Sequence, residues 1–145
     1  MEQFPRINHD INIIGGKACI ILIICLSFTS CGENPKIDYG SSHKFNEEEI
    51  KAAVDCVINN FLTDGKLTKI WYDENQSTST AELYMTYGKG KENEVKIENV
   101  IVIFTDFTAR SNSRTFIPNQ KLKNYNWILI RDNSGDTWTI DDRGY

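Results

Sequence analysis

Val100-Ile101-Val102-Ile103-Phe104 lies inside residues 97–107, and its reading decides the architecture. Five consecutive apolar residues, four of them β-branched, make a strand rather than one face of a helix. A strand without polar alternation needs cover on both sides, so this stretch belongs at the centre of a sheet.

On its C-terminal side, residues 125–132 and 137–142 flank Asn133-Ser134-Gly135-Asp136, a turn-forming sequence, and are expected to pair as a hairpin. With all four turn residues in the loop, Leu129 opposes Ile140, Arg131 opposes Trp138 and Trp127 opposes Asp142. On the N-terminal side, Asn46-Glu47-Glu48-Glu49 has the capping-box order, with Phe45 at the staple position before it. Ile50, Ala53, Val54, Val57, Ile58 and Phe61 follow at helical spacing until Asp64-Gly65 stops the pattern. Residues 67–72 are a short β-type stretch, 77–87 predict a second helix opened by a Ser/Thr cap, and 88–95 read as a connection. The expected fold is α+β: an N-terminal helix packed on one curved antiparallel sheet, a roll or cone.

Upstream, Arg6 and Lys17 precede the apolar run Ala18-Cys19-Ile20-Ile21-Leu22-Ile23-Ile24-Cys25-Leu26, and small polar residues then lead to Cys31-Gly32. This is the order of a secretory signal, and the run falls short of the roughly 20 residues of a spanning helix. Phe28-Thr29-Ser30-Cys31-Gly32 resembles a bacterial lipobox, with Phe28 where Leu is usual. That resemblance implies a signal peptide over 1–30 and lipid attachment at Cys31, which becomes the new N-terminus. A flexible tether over 31–43, with Pro35, Gly40, Ser41 and Ser42, and a single domain over 44–145 complete the organisation. The expected location is the outer face of the cell membrane, with the membrane itself as first partner through the lipid.

Further stretches resemble a family of uncharacterised lipoproteins from Gram-positive, mainly clostridial, bacteria. They are Phe45-Asn46-Glu47-Glu48-Glu49-Ile50, Leu67-Thr68-Lys69-Ile70-Trp71-Tyr72-Asp73-Glu74, Glu98-Asn99-Val100-Ile101-Val102, Trp127-Ile128-Leu129-Ile130-Arg131-Asp132 and the closing Trp138-Thr139-Ile140-Asp141-Asp142-Arg143-Gly144-Tyr145. This chain has Arg143 where that family often has Trp. The resemblance implies a domain similar to the nuclear transport factor 2-like, or cystatin-like, cone. It carries no assigned activity and therefore no catalytic residues to transfer.

Composition narrows the function classes. The chain of 145 residues is 40% hydrophobic and 25% charged, which suits one ordinary domain. Without the first 30 residues about 115 remain, enough to bury roughly 65% of the unfolded surface, so folding needs no cofactor. A formal charge of −4 argues against nucleic acid as a partner. Cys19 and Cys25 fall in the signal and Cys31 at the lipid site, leaving Cys56 without a disulfide partner. Cys56 and His43 are too few for a zinc site, so no metal is expected.

No nucleophile elbow, phosphate loop, dinucleotide fingerprint or zinc-protease helix is present. The primary expectation is a non-enzymatic module that binds a small molecule, a cell-envelope polymer or another protein. The alternative is a small pocket enzyme using Asp73, Asp106, Asp141 and Tyr72 for acid–base chemistry, against the plainer reading that the carboxylates sit at strand ends facing water. His43 reads as a solvated residue and Cys56 as a small, half-buried hydrophobe. Trp71, Trp127 and Trp138 are expected in the core and Tyr145 at the surface, where it is a binding candidate. Residues 108–123 form a long polar connection made basic by Arg110, Arg114, Lys121 and Lys123. Those four are candidates for contact with anionic lipid headgroups or wall polymers, against the reading of a solvated loop.

Overall fold

The apolar run opens the middle strand of a five-stranded sheet, as the computed structural model shows for residues 34–61 and 65–145. The strands, in spatial and chain order, are β1 (Lys36–Asp38), β2 (Gly65–Trp71), β3 (Val100–Ala109), β4 (Lys121–Ile130) and β5 (Thr139–Gly144). Along β3 the pleat sends Ile101, Ile103, Phe107 and Ala109 to one side, and Val100, Val102 and Phe104 to the other. Both sets are buried, because a different helix covers each face. The signal segment, Cys31 and the expected stop at Asp64 lie outside the described residues.

Helix α1 (Glu47–Phe61) covers the first face, burying Ile50, Ala53, Val54, Val57 and Phe61, with Ile58 half-buried. Its start is the expected capping box. The Glu49 amide donates to Asn46 Oδ1 at 2.9 Å, and the Asn46 amide donates to Glu49 Oε2 at 2.9 Å, so each satisfies an otherwise orphaned donor of the other. Each of the larger ones, Ile50, Val54, Val57 and Phe61, contributes about 1.5–3 kcal/mol by its burial.

The sheet is mixed rather than wholly antiparallel. β2 to β5 form the expected antiparallel series, but β1, in the stretch read as a flexible tether, pairs with β2 in parallel, Lys36 beside Lys69 and Asp38 beside Trp71. The reason is topological: strand, helix and strand in sequence return the chain to its starting end, so β1 and β2 run the same way across α1. Gly65 opens β2 where a Cβ would stand 2.2 Å from the Thr108 carbonyl oxygen, so only glycine permits that approach.

A single helical layer was the expectation, yet α2 (Glu74–Tyr87) packs on the second face, with the short α3 (Lys89–Glu92) after it. It begins three residues before the expected start, because its N-cap is Asp73, whose Oδ1 accepts the Gln76 amide at 2.9 Å. Ser77, read as the cap, has a different duty. β2 ends at Trp71, opposite Phe104, so the first part of β3 has no β2 partner. There the buried Ser77 hydroxyl accepts the Val102 amide at 3.0 Å and replaces the missing ladder bond.

The hairpin of β4 and β5 keeps Leu129 opposite Ile140, as expected, but Trp127 faces Arg143 rather than Asp142. A bulge between those pairs shifts the register by one residue and leaves Asp141 unpaired in the ladder. Among the described residues, no helix is long and apolar enough to cross a membrane.

Candidate functional site

Where β1 and β2 end, the chain builds one wall of a cleft and α2 builds the other. The cleft encloses about 950 Å³ and is open to solvent. Its floor is Trp71, stacked on Phe104 at 5.8 Å between ring centroids, with Lys69 Nζ over the Trp71 ring at 4.1 Å from its centroid. Period-two alternation puts Lys69 and Trp71 on the same face of β2, under α2. Asn75, Thr78, Ser79 and Glu82 of α2 line the far wall, and Asp38, Gly40, Ser41 and His43 the near one.

The near wall is held by local polar contacts. Gly40 takes φ +59°, and its amide donates to Asp38 Oδ1 at 3.1 Å. The Ser42 hydroxyl oxygen accepts the amides of Lys44 and Phe45, both at 3.0 Å, and lies 3.2 Å from the Tyr72 hydroxyl. The His43 amide donates to the Glu74 carboxylate, at 2.9 and 3.2 Å to its two oxygens. Burial pushes the Tyr72 hydroxyl above its ordinary pKa, against the opposing pull of the Ser42 hydroxyl. Asp38, Asp73, Glu74 and Glu82 outnumber Lys69 around the cleft, which makes it acidic.

The carboxylates considered for acid–base chemistry do not converge. Asp73 caps α2. Asp106 stands opposite a bulge in β4, where it accepts the Asn124 amide at 3.0 Å and an ion pair from Lys123 at 2.7 Å, and Asn124 there takes φ +51°. Asp141, left out of the β5 ladder, turns to α2 and α3. It accepts from the Tyr84 hydroxyl at 2.7 Å and from Asn93 Nδ2 at 3.2 Å. Burial first, and the Asp141 carboxylate second, push the Tyr84 hydroxyl far above its ordinary pKa. Each carboxylate thus organises a cap, a bulge or a helix-to-strand contact, and Tyr72 and Asp73 alone among the four candidates reach the cleft.

The structure separates the other candidates as well. Arg110 and Arg114 lie in the connection 110–120, which is shorter than expected because β3 and β4 extend into it, while Lys121 and Lys123 belong to β4. Lys123 is engaged by Asp106, and Tyr145 is 78% exposed while resting edge-on against Tyr125. None of these five lines the cleft. Trp127 and Trp138 are core residues, and Trp71 is buried beneath the cleft. Cys56 donates its thiol to the Trp138 carbonyl at 3.4 Å, and burial raises its pKa, which suppresses thiolate chemistry. Cys31 lies outside the described residues.

Sequence reading missed Asp38, Lys69, Glu74, Ser79 and Glu82 as neighbours. The alternation of Lys69 with Trp71 and the helical spacing of Asn75, Ser79 and Glu82 were readable, but nothing local says that this helix faces that strand. Among the described residues, no group of three or more His, Cys, Asp or Glu is placed to hold a metal ion. No curated protein and no solved structure matches the chain. Residues 41–144, from the near wall of the cleft through β5, match a family model, and the chain belongs to that family, described as a domain of unknown function (DUF4829).

Proposed function

We propose that the protein is a lipid-anchored, non-enzymatic binding module at the outer face of the cell membrane, taking its ligand at the cleft between α2 and the β1–β2 edge. The observation that carries the binding half is the use made of the carboxylates. Asp106 and Asp141 are committed to a bulge and to Tyr84, away from the cleft, and Asp73 within it is committed to a helix cap. What remains at the cleft is an open surface of polar side chains over the Trp71 ring, able to hydrogen-bond a polar ligand. The anchoring half is supported by the signal-like run and the lipobox-like Phe28-Thr29-Ser30-Cys31. A kinship with the nuclear transport factor 2-like, or cystatin-like, cone belongs to the same reading, supported by a helix laid across the antiparallel series β2 to β5.

Intact-protein mass spectrometry of membranes from a Gram-positive host tests the anchor. The expected mass lacks the first 30 residues and includes a lipid that Cys31→Ser abolishes; an uncleaved, unlipidated wild-type chain would remove the membrane from the proposal. For the cleft, Ser79→Trp fills the exposed mouth and should abolish retention of envelope material by an otherwise normally folded protein. Unchanged retention would remove the cleft.

A further inference from the structure

The chain reaches the sheet from one end, and among the described residues that end is basic. Asn34, the first described residue, shares a recess with Lys36, Lys66 and Thr68. Lys66 pairs with Thr108, and Thr108 pairs with Lys121, so the connection 110–120 emerges at the same end. Exposed Lys36, Lys66, Arg114 and Lys121 gather there, with Arg110 and the Asp106-bound Lys123 beside them. Residues 110–120 contain no Asp or Glu, and Ile117 among them is 70% exposed. Acids collect at the opposite end. Asp38 closes β1, Asp73 and Glu74 follow β2, Asp132 follows β4, and Glu47, Glu48 and Glu49 open α1 beside Arg131. The acidic cleft lies at that end.

We infer that the basic end of the sheet rests against anionic lipid headgroups of the membrane, with the connection 110–120 in contact and the acidic cleft turned outward. The inference rests on the reading that Cys31 carries the lipid. Cys31 is three residues from Asn34, and an extended chain covers at most about 3.6 Å per residue, so the anchor holds this end within roughly 11 Å of its attachment point. At that range the nearest anionic surface is the bilayer. A chain of net charge −4 is repelled by it as a whole, but one with its cations at the tethered end is attracted by that end and repelled by the other. Ile117 supplies an apolar side chain at the contact.

The test uses the lipidated protein reconstituted in vesicles of phosphatidylcholine, alone or with about one-third phosphatidylglycerol, and reads amide hydrogen exchange. In the anionic vesicles, amides of 110–120 should slow by about tenfold relative to neutral ones, with α1 unchanged, and the protection should fade as salt rises to about 0.5 M. It should also disappear in the combined variant Lys36→Glu, Lys66→Glu, Arg114→Glu, Lys121→Glu. Equal exchange in both vesicles overturns the orientation while leaving the anchor intact. Protection by purified wall polymer but not by anionic vesicles also overturns it and assigns the basic end to the wall. A purified chain whose mass shows no lipid removes the anchor, and the orientation with it.

Discussion

On α1's side of the sheet, ring meets ring. Phe45 stands edge-on to Tyr72 and Trp138, Phe61 to Phe107 and Trp127, and Tyr125 to Phe107, Phe116 and Trp127. Arg131, buried against Trp138, is neutralised by Glu49 at 2.6 Å. On α2's side the buried set is smaller, and the Ser77 hydroxyl, accepting the Val102 amide, and the Tyr84 hydroxyl, donating to Asp141, tie the helix to β3 and β5. α2 leaves the acidic cleft along the β1–β2 side and a shallower groove of about 350 Å³ along β4 and β5, where Leu83 and Tyr87 are exposed. The contrast assigns the two faces different work: one carries the larger, aromatic buried layer and stabilises the fold, while the other carries the smaller buried set and the acidic cleft.

That contrast can be broken most severely from the aromatic side. Trp127→Ala removes a 1%-exposed side chain whose indole donates to Thr105 Oγ1 at 2.9 Å, and should cost about 3–5 kcal/mol in urea unfolding. A loss below about 1 kcal/mol would mean that the aromatic layer is not the stabilising face. Glu49→Ala strands Arg131 without its counter-charge and removes half of the capping box, for a loss of about 3 kcal/mol or more.

The same residue predicts an acid response. Burial pushes the Glu49 carboxyl up, but the Asn46 amide and Arg131 outweigh it and hold the pKa below the ordinary 4.5. A depressed folded-state pKa stabilises fully above the unfolded value and is lost as pH falls through the folded one, so stability should decline below pH 4.5. Glu49→Gln should flatten that part of the profile; an unaltered slope would assign the acid sensitivity elsewhere.

Effects on α2's side should be smaller. Ser77→Ala leaves the buried Val102 amide without its acceptor and should cost about 1–3 kcal/mol. Tyr84→Phe removes the bond to Asp141 and should cost about 1 kcal/mol at neutral pH. Because the Tyr84 pKa is raised, its contribution is complete below the ordinary value of 10.0 and is lost as pH rises above it. Wild-type protein should therefore weaken in alkali more steeply than Tyr84→Phe, and parallel profiles would separate Tyr84 from that response. Leu83→Ser, in the shallow groove, should change the unfolding midpoint by no more than about 0.5 kcal/mol equivalent. A cost comparable to that of Trp127→Ala would show that the second face stabilises the fold as much as the first.

Much of this was legible wherever the deciding interaction is local. The α1 cap involves residues three apart, and the bonds between Asn46 and Glu49 follow from their order alone. Asp73-Glu74-Asn75-Gln76 carries a similar local signal, an N-cap acid with Gln three residues on, so the start of α2 at Glu74 is also written in neighbouring residues. The hairpin register was readable at Leu129 and Ile140 but not beyond, since the bulge at Asp141 depends on the contacts that Tyr84 and Asn93 offer from another element. The cleft was illegible for the same reason: its walls come from segments brought together by the sheet.

By itself the sequence determined that residues 100–104 form a two-sided central strand, that a capped helix precedes it and a hairpin follows, because hydrophobic period, caps and turns act over a few residues. Only the tertiary structure decided that β1 joins in parallel, that α2 takes the second face, and that Asp73, Asp106 and Asp141 serve backbone and helix rather than one shared site. Those outcomes depend on which edges and faces remain uncovered once the sheet has assembled, and that information belongs to no single segment.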